Sequence, residues 1–478
     1  MKCSYIGLPP KCNRMLISFG VLIVFLAFLS SCAHYPVNDQ LEHFDTELQG
    51  RTISFHSPER SDELFLVLAF SGGGARAAAL TYGVLEALEN VRLPVTPNGV
   101  GMSVADKPRT LLDEVDTISS VSGGSFTAAY YGLHQKRIFK DFKERFLTRN
   151  IERALYFRLL SPVNWVRLAS SKFGRSDLAS EYYDKILFEG ATLKDLVDSN
   201  GPFVQIQATD MIDGLHFEFT SPLFNMICSD FKTFPVSRAV AASAAFPGAF
   251  TPIVLKNYAQ ECGYKEAPWI SKVMDKRDTS SREFHAATRM RTYQDSETKP
   301  FLYLLDGGIA DNLGVRGPLE VLAARTSTKR PLKEFGLHQT RRVLYIVVNA
   351  ERPTSTKSSM LGKIPGLGDV LGATSSIMVK SINYDTMDLL RRMTGEWSKE
   401  VESMRGKDLP LDFYIAEVDF NALASDEERS YFSAIPTKLS LPEETVDQLR
   451  DIGGRILYAS KDFQEFVRDI GGEIPDNR

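Results

Sequence analysis

The sequence predicts an α/β fold with a largely parallel, buried central sheet, and three observations predict it. Short strand-like runs recur along the chain, at Leu64–Phe70, Val115–Ser119, Phe203–Ala208, Phe301–Leu305, Val343–Asn349 and Phe413–Val418. Segments of helical length and composition separate them, and strands that alternate with helices are the pattern of a parallel sheet covered on both faces. Glycine clusters close three of the runs, as "SGGG", "SGG" and "DGG", at the strand ends where open α/β sheets meet their ligands. With 478 residues, 43% hydrophobic and 24% charged, the chain is long enough for one large domain or two smaller ones. A net charge of −4, with no sustained basic stripe, offers nothing to hold nucleic acid.

At the N-terminus, Lys2, Lys11 and Arg14 precede the apolar run "MLISFGVLIVFLAFL", Met15–Leu29, and small residues follow it at once. This is the layout of a secretion signal. The run falls short of the about 20 residues that a spanning helix needs. Leu29, Ser30, Ser31 and Cys32 resemble a bacterial lipobox, which implies cleavage before Cys32, acylation of its thiol, and an anchor of several acyl chains, stable where a single chain is not. Ala33 stands where an aspartate would resemble an inner-membrane retention signal. The resemblance therefore implies a cell-envelope lipoprotein of the outer membrane, facing the periplasm. The expected layout is a signal peptide over 1–31, a polar tether over 32–58, the main domain over 59–350, and an extension over 351–478 packed on the same domain. Once Cys3 and Cys12 leave with the signal, Cys228 and Cys262 remain as thiols. They either pair in an oxidising periplasm or sit apart as buried thiols. No Cys and His spacing of a metal site occurs, and no cofactor is expected.

The first element is "LFLVLAFSGGGARAAALTYGVLEAL", Leu64–Leu88: a buried strand, a glycine turn, and a helix of strong helix formers from Ala75. Such a turn aims free backbone N–H groups at one point, which suits a pyrophosphate, a phosphate, or the oxyanion of a reacting ester. The second is "VDTISSVSGGSFTAAYYGL", where a strand from Val115 enters a sharp turn at Ser122 and a helix begins near Phe126. Gly123 and Gly124 stand where side chains would clash, as in a nucleophile elbow, with Ser120 in place of the usual first glycine. A serine so held faces a helix N-terminus that favours its alkoxide. "ERALYFRLLSPVNWVRLASSKFG" then mixes Tyr156, Phe157 and Trp165 with Arg153, Arg158 and Arg167. That composition suits an interfacial helix pair, or helices whose aromatics pack on the sheet and whose arginines face solvent.

Lys256–Lys299 is polar and charged, an excursion from the core. In "FLYLLDGGIADNLG" an apolar strand delivers Asp306 to its end, the natural partner for Ser122. "TSTKSSMLGKIPGLGDVLG", Thr354–Gly372, has no helical period and reads as a mobile lid. "LPEETVDQLRDIGGRILYASKDFQEFV" reads as a capped amphipathic helix followed by another, a C-terminal cover.

"SGGGARA", "SVSGGS" and "DGGIADN", in that order, together with "ATDMIDGLHFEFT" and "AASAAFPGAFTP", resemble the patatin-like phospholipases over Leu64–Asn312. Ser71 stands where plant patatins carry Asp, and the motif forms look closer to the cytosolic phospholipase A branch. No calcium-binding lipid module is evident, so that branch's metal dependence is not carried over. The resemblance implies a three-layer α/β/α patatin-like domain and a serine acyl hydrolase acting on membrane phospholipid or lysophospholipid. It implies a dyad in which Ser122 attacks the ester carbonyl and Asp306 is the general base. The N–H groups of Gly72, Gly73 and Gly74 would bind the oxyanion, and Arg76 would contact a lipid phosphate or else lie on the helix surface with Glu86 or solvent.

Gly72, Gly74 and Ala77 also fit a dinucleotide fingerprint, but "VRLPVTPNGVG" supplies no acid where the second strand should end, and no Gly-Lys-Ser/Thr follows for a nucleotide loop. A nucleotide partner is therefore not expected. Two rivals stay open. A Ser-Asp-His esterase would need His338, which follows Ser122 and Asp306 in chain order; a lipid-anchored binding protein would need no chemistry at all.

Overall fold

The computed structural model describes residues 37–44, 60–94, 109–319, 339–351, 367–405 and 411–475. Among these, eight strands form one sheet: β1 (Leu64–Phe70), β2 (Val115–Val121), β3 (Phe203–Asp210), β4 (His216–Glu218), β5 (Ile253–Lys256), β6 (Phe301–Asp306), β7 (Arg342–Asn349) and β8 (Asp412–Asp419). Their spatial order is β5-β6-β3-β2-β1-β7-β8, with β4 hydrogen-bonded to β3. The five central strands, β3 to β8 across that order, are mutually parallel. β4 and β6 run antiparallel to β3, and β5 antiparallel to β6.

All seven residues of β1 and all seven of β2 are buried, which explains why β1 reads as an unbroken apolar run rather than an alternating one, while β2 buries Asp116, Thr117, Ser119 and Ser120 as well. The pleat divides them between two cores. Leu64, Leu66, Leu68 and Phe70 belong to the larger core, with helices α1 (Ala75–Asn90) and α2 (Gly123–His134). Phe65, Val67 and Ala69 belong to the smaller one. The larger core also takes residues of α3 (Ile151–Leu159), α5 (Arg175–Tyr183) and α6 (Val236–Ser243), while α4 (Pro162–Leu168) packs on α3 outside it. Leu390, Trp397 and Val401 of the long helix α7 (Leu367–Arg405) close the smaller face. The fold is thus three-layered, helices on both faces of a mostly parallel sheet, as the sequence predicts.

The C-terminal cover is α8 (Glu443–Ala459) followed by α9 (Lys461–Asp469), with Val446, Leu449, Ile452, Ile456 and Leu457 of α8 buried. α8 approaches α1 backbone to backbone, since a Cβ at Gly83 would lie 2.0 Å from the Arg450 carbonyl oxygen. Glu86 then takes the Arg450 guanidinium, Nη2 to Oε1 at 3.0 Å.

Two strands escape sequence reading, β4 with three residues and β5 with four, both too short to raise a periodic signal. The Lys256–Lys299 excursion contains helices over Pro268–Lys276 and Arg282–Gln294. Of the expected lid, 354–366 lies outside the described residues, and Leu367–Gly372 instead opens α7. Cys228 and Cys262 are joined in a disulfide with Cα atoms 5.5 Å apart. The described part of the stretch read as a tether lies against this loop: the Leu41 N–H donates to the Cys228 carbonyl at 2.8 Å and the Phe44 N–H to that of Cys262 at 3.1 Å. The signal run and Cys32 lie outside the described residues. Among the described residues no helix is long and apolar enough to cross a membrane.

Candidate active site

Sheet register brings the chemistry together. Val121 at the end of β2 is level with Gln207 of β3, so the next residue, Ser122, is level with Ala208, and Ala208 faces Asp306 across the antiparallel β3–β6 pair. Ser122 and Asp306 therefore flank β3 in one row. The Ser122 hydroxyl donates to Asp306 Oδ2 at 2.7 Å.

Ser122 sits at φ 49°, ψ −118°, a backbone that residues other than glycine rarely adopt. The turn projects the side chain away from the sheet and ends at the N-terminus of α2, whose partial positive charge favours an anion there. The glycines behind the serine are required by contact. A Cβ on Gly123 would lie 2.1 Å from the Gly74 carbonyl oxygen, and one on Gly124 2.8 Å from that of Phe70. The elbow and the glycine loop thus interlock. A buried relay holds the serine's own backbone: the Ser122 N–H donates to Ser243 Oγ at 2.8 Å, and the Ser243 hydroxyl donates to the Gln207 carbonyl at 2.5 Å.

Asp306 is 6% exposed. Burial pushes its carboxyl up to about 6, opposed by the hydrogen bonds from Gly308 N–H and the Ser122 hydroxyl. The Gly308 N–H reaches Oδ1 at 2.9 Å, leaving Oδ2 for the serine. The Asp306 N–H donates to the Ala245 carbonyl, and its C=O accepts the Thr209 hydroxyl at 2.8 Å. The group is fixed in place and close to neutral pH in its proton affinity, which suits a general base.

In the glycine loop the donors divide. The N–H of Ser71 bonds to Val348 O, that of Gly72 to Asn312 O at 3.1 Å, and that of Ala75 to Lys438 O at 2.7 Å. The N–H groups of Gly73 and Gly74 take no partner among the described residues. The three-glycine expectation therefore narrows to two donors. Gly74, at φ 61°, caps α1 in a conformation open to glycine.

Arg76, read as a phosphate contact, is buried and turned inward. Its Nε donates to Ala350 O at 2.8 Å, Nη1 to Ile435 O at 2.5 Å, and Nη2 to Thr437 Oγ1 at 3.1 Å. It ties the first turn of α1 to the end of β7 and to the 435–437 segment, because a fork of five donors one turn from a strand end reaches several carbonyls at once. Nor does it pair with Glu86, which Arg450 occupies. His338 lies outside the described residues. Sequence reading missed Ser243, Thr209 and Asn312, although all three stand inside the quoted segments; a serine among alanines or an asparagine after a turn carries no mark of what it will touch. Among the described residues no group of three or more His, Cys, Asp or Glu could hold a metal ion.

Fold and site together define an α/β protein with a strained elbow serine bonded directly to a strand-end carboxyl group. The sequence model of the patatin-like phospholipases matches residues 68–319, just over half of the chain and all of this constellation. The chain belongs to the patatin-like phospholipase family. Human GIVD cytosolic phospholipase A2 is similar in structure over 90% of this chain and 67% of its own, with a TM-score of 0.42 and 11% identity. No curated protein matches the chain.

Proposed function

We propose that the protein is a lipid acyl hydrolase that cleaves carboxylic ester bonds of phospholipids or lysophospholipids through a Ser122–Asp306 dyad. The observation that carries this reading is the 2.7 Å hydrogen bond from the Ser122 hydroxyl to Asp306 Oδ2. As Ser122 Oγ attacks the ester carbonyl, its proton passes to Oδ2. The oxyanion that forms meets the N–H groups of Gly73 and Gly74 and the N-terminal end of α2. Collapse breaks the ester C–O bond, and the leaving alcohol takes the proton back from Asp306. Water, deprotonated by the same carboxylate, then splits the acyl-serine and restores both groups. The lipobox-like residues Leu29–Cys32 support a lipid-anchored enzyme at the outer membrane, where anchoring raises the local concentration of substrate.

The test is turnover of a medium-chain nitrophenyl ester and of phosphatidylcholine vesicles. Ser122→Ala and Asp306→Asn are each expected to lose activity by about a thousandfold or more, while His338→Ala stays near wild type. Loss of activity in His338→Ala would replace the dyad by a triad. A wild type inert on both substrates would turn the reading toward a binding protein.

A further inference from the structure

Helices α3 and α4 form a hairpin that the site chemistry does not use. Of α3 only Ile151 and Leu155 are buried, and α4 has no buried residue. Thirteen large hydrophobic side chains are exposed among the described residues, and five of them fall within ten positions here: Tyr156, Phe157, Leu160, Val163 and Trp165, with Val163 70% and Trp165 57% exposed. The Trp165 ring satisfies its own N–H on the Leu159 carbonyl at 2.7 Å, so its apolar surface faces outward with no polar demand. Clustered exposure of this kind marks an interaction surface rather than a scatter of surface apolar groups.

The charge around the aromatics is mostly basic, although Arg167 is paired with Glu181 at its Nη1, 2.9 Å from Oε2. Arg149, Arg153, Arg158, Arg167, Lys172 and Arg175 stand against Glu152 alone over 149–175, an excess of +5 in a chain whose net charge is −4. Arg153 lies 5.5 Å from the Phe157 ring centroid, Arg158 4.8 Å from that of Tyr182, and Arg167 3.9 Å from that of Phe173, which keeps cationic groups beside the apolar surface. Two copies of such a patch repel each other.

The hairpin is tied at both ends to the site. At its start, Glu152 Oε1 accepts the Leu439 N–H at 3.0 Å, one residue beyond Lys438, whose carbonyl holds Ala75 against the glycine loop. At its end, Arg175 donates to the Gly248 carbonyl at 3.2 Å and Ser176 N–H to Thr251 Oγ1 at 3.3 Å. That segment begins at Ala245, whose carbonyl accepts the Asp306 N–H at 3.1 Å, and includes the exposed Phe246.

We propose that the α3–α4 hairpin is a docking surface for an anionic phospholipid bilayer, which seats the mouth of the Ser122–Asp306 site on the membrane. Aromatic and aliphatic side chains enter the headgroup boundary while the basic groups meet lipid phosphates, the division of labour of interfacial helices. The proposal rests on the lipid hydrolase reading for its purpose but not for its test.

The full chain is mixed with vesicles of brominated phosphatidylcholine and phosphatidylglycerol, and Trp165 emission is taken as the difference between wild type and Trp165→Phe. About half of that emission is expected to be quenched, and several-fold less on vesicles without phosphatidylglycerol or in high salt. A triple variant Tyr156→Ser/Phe157→Ser/Val163→Ser is expected to lose about tenfold in vesicle hydrolysis with nitrophenyl ester turnover unchanged, which also shows that it is folded. Equal quenching in wild type and Trp165→Phe, an unchanged vesicle rate in the triple variant, or a dimer that shields Trp165 without lipid overturns the proposal. Quenching in a wild type and a Ser122→Ala variant that hydrolyse neither substrate would uphold the docking surface while refuting the hydrolase.

Discussion

Asp306 is a carboxyl group held away from water, its charge answered chiefly by the Gly308 N–H and the Ser122 hydroxyl. Burial raises its proton affinity from the ordinary 3.8 to about 6. Between those values the folded chain holds a proton that the unfolded chain has lost, so stability falls as pH rises from about 4 to about 6 and stays lower above it. A shift of about two units corresponds to roughly 3 kcal/mol. Asp306→Asn, neutral throughout, is therefore expected to be more stable than wild type by up to roughly 3 kcal/mol at pH 8 and about equal near pH 4, measured by denaturant unfolding at the two values. No gain at pH 8 would mean that the ionised carboxylate is well solvated in the folded protein. The same titration bears on rate. Only the ionised form accepts the serine proton, so ester hydrolysis should rise through pH 6 and level off above it. Ser122 and Asp306 were readable before the fold because a serine among glycines and an acid at the end of an apolar strand each leave a local mark. Ser243 was not, since its role depends on where Ser122 lands, 121 positions away.

Among the elements, α1 carries the glycine loop and is held by groups that come from far along the chain. Arg76 joins its first turn to Ala350, Ile435 and Thr437, and Gly83 admits the backbone of α8. Arg76→Met would leave two buried carbonyls unpaired, at an expected loss of roughly 3 kcal/mol in unfolding free energy. Turnover should fall by the same factor on a nitrophenyl ester and on phospholipid vesicles, because the loop moves for both. A loss confined to phospholipid would instead make Arg76 a phosphate contact. Helix and strand identities in this region were legible from apolar period and composition. The inward turn of the Arg76 fork was not, because an arginine in the first turn of a helix reads the same whether its acceptors are lipid, solvent or distant carbonyls.

At the scale of the whole molecule, the disulfide between Cys228 and Cys262 closes a loop of 34 positions and anchors residues 37–44 beside it. Cys228→Ser/Cys262→Ser is expected to lower unfolding free energy by about 2–4 kcal/mol, read as a drop in melting temperature that reduction of the wild type reproduces. Unchanged melting on both would mean that the loop is held by its packing alone.

Six of the eight strands, the elbow turn, the glycine loop and the paired C-terminal helices could be read from the chain alone, because each depends on residues a few positions apart: an apolar run of strand length, a glycine where a side chain would collide, a cap before an amphipathic period. Assembly settled the rest. The antiparallel course of β6, the meeting of Ser122 with Asp306 across 184 positions, the engagement of the Gly72 N–H by Asn312 and the outward aromatics of α3 and α4 all follow from which distant segments became neighbours. Hydrophobic burial drives that assembly without direction, and close packing with hydrogen-bond satisfaction then selects one arrangement, so partners far apart in the chain are specified by the completed sheet rather than by any stretch of sequence.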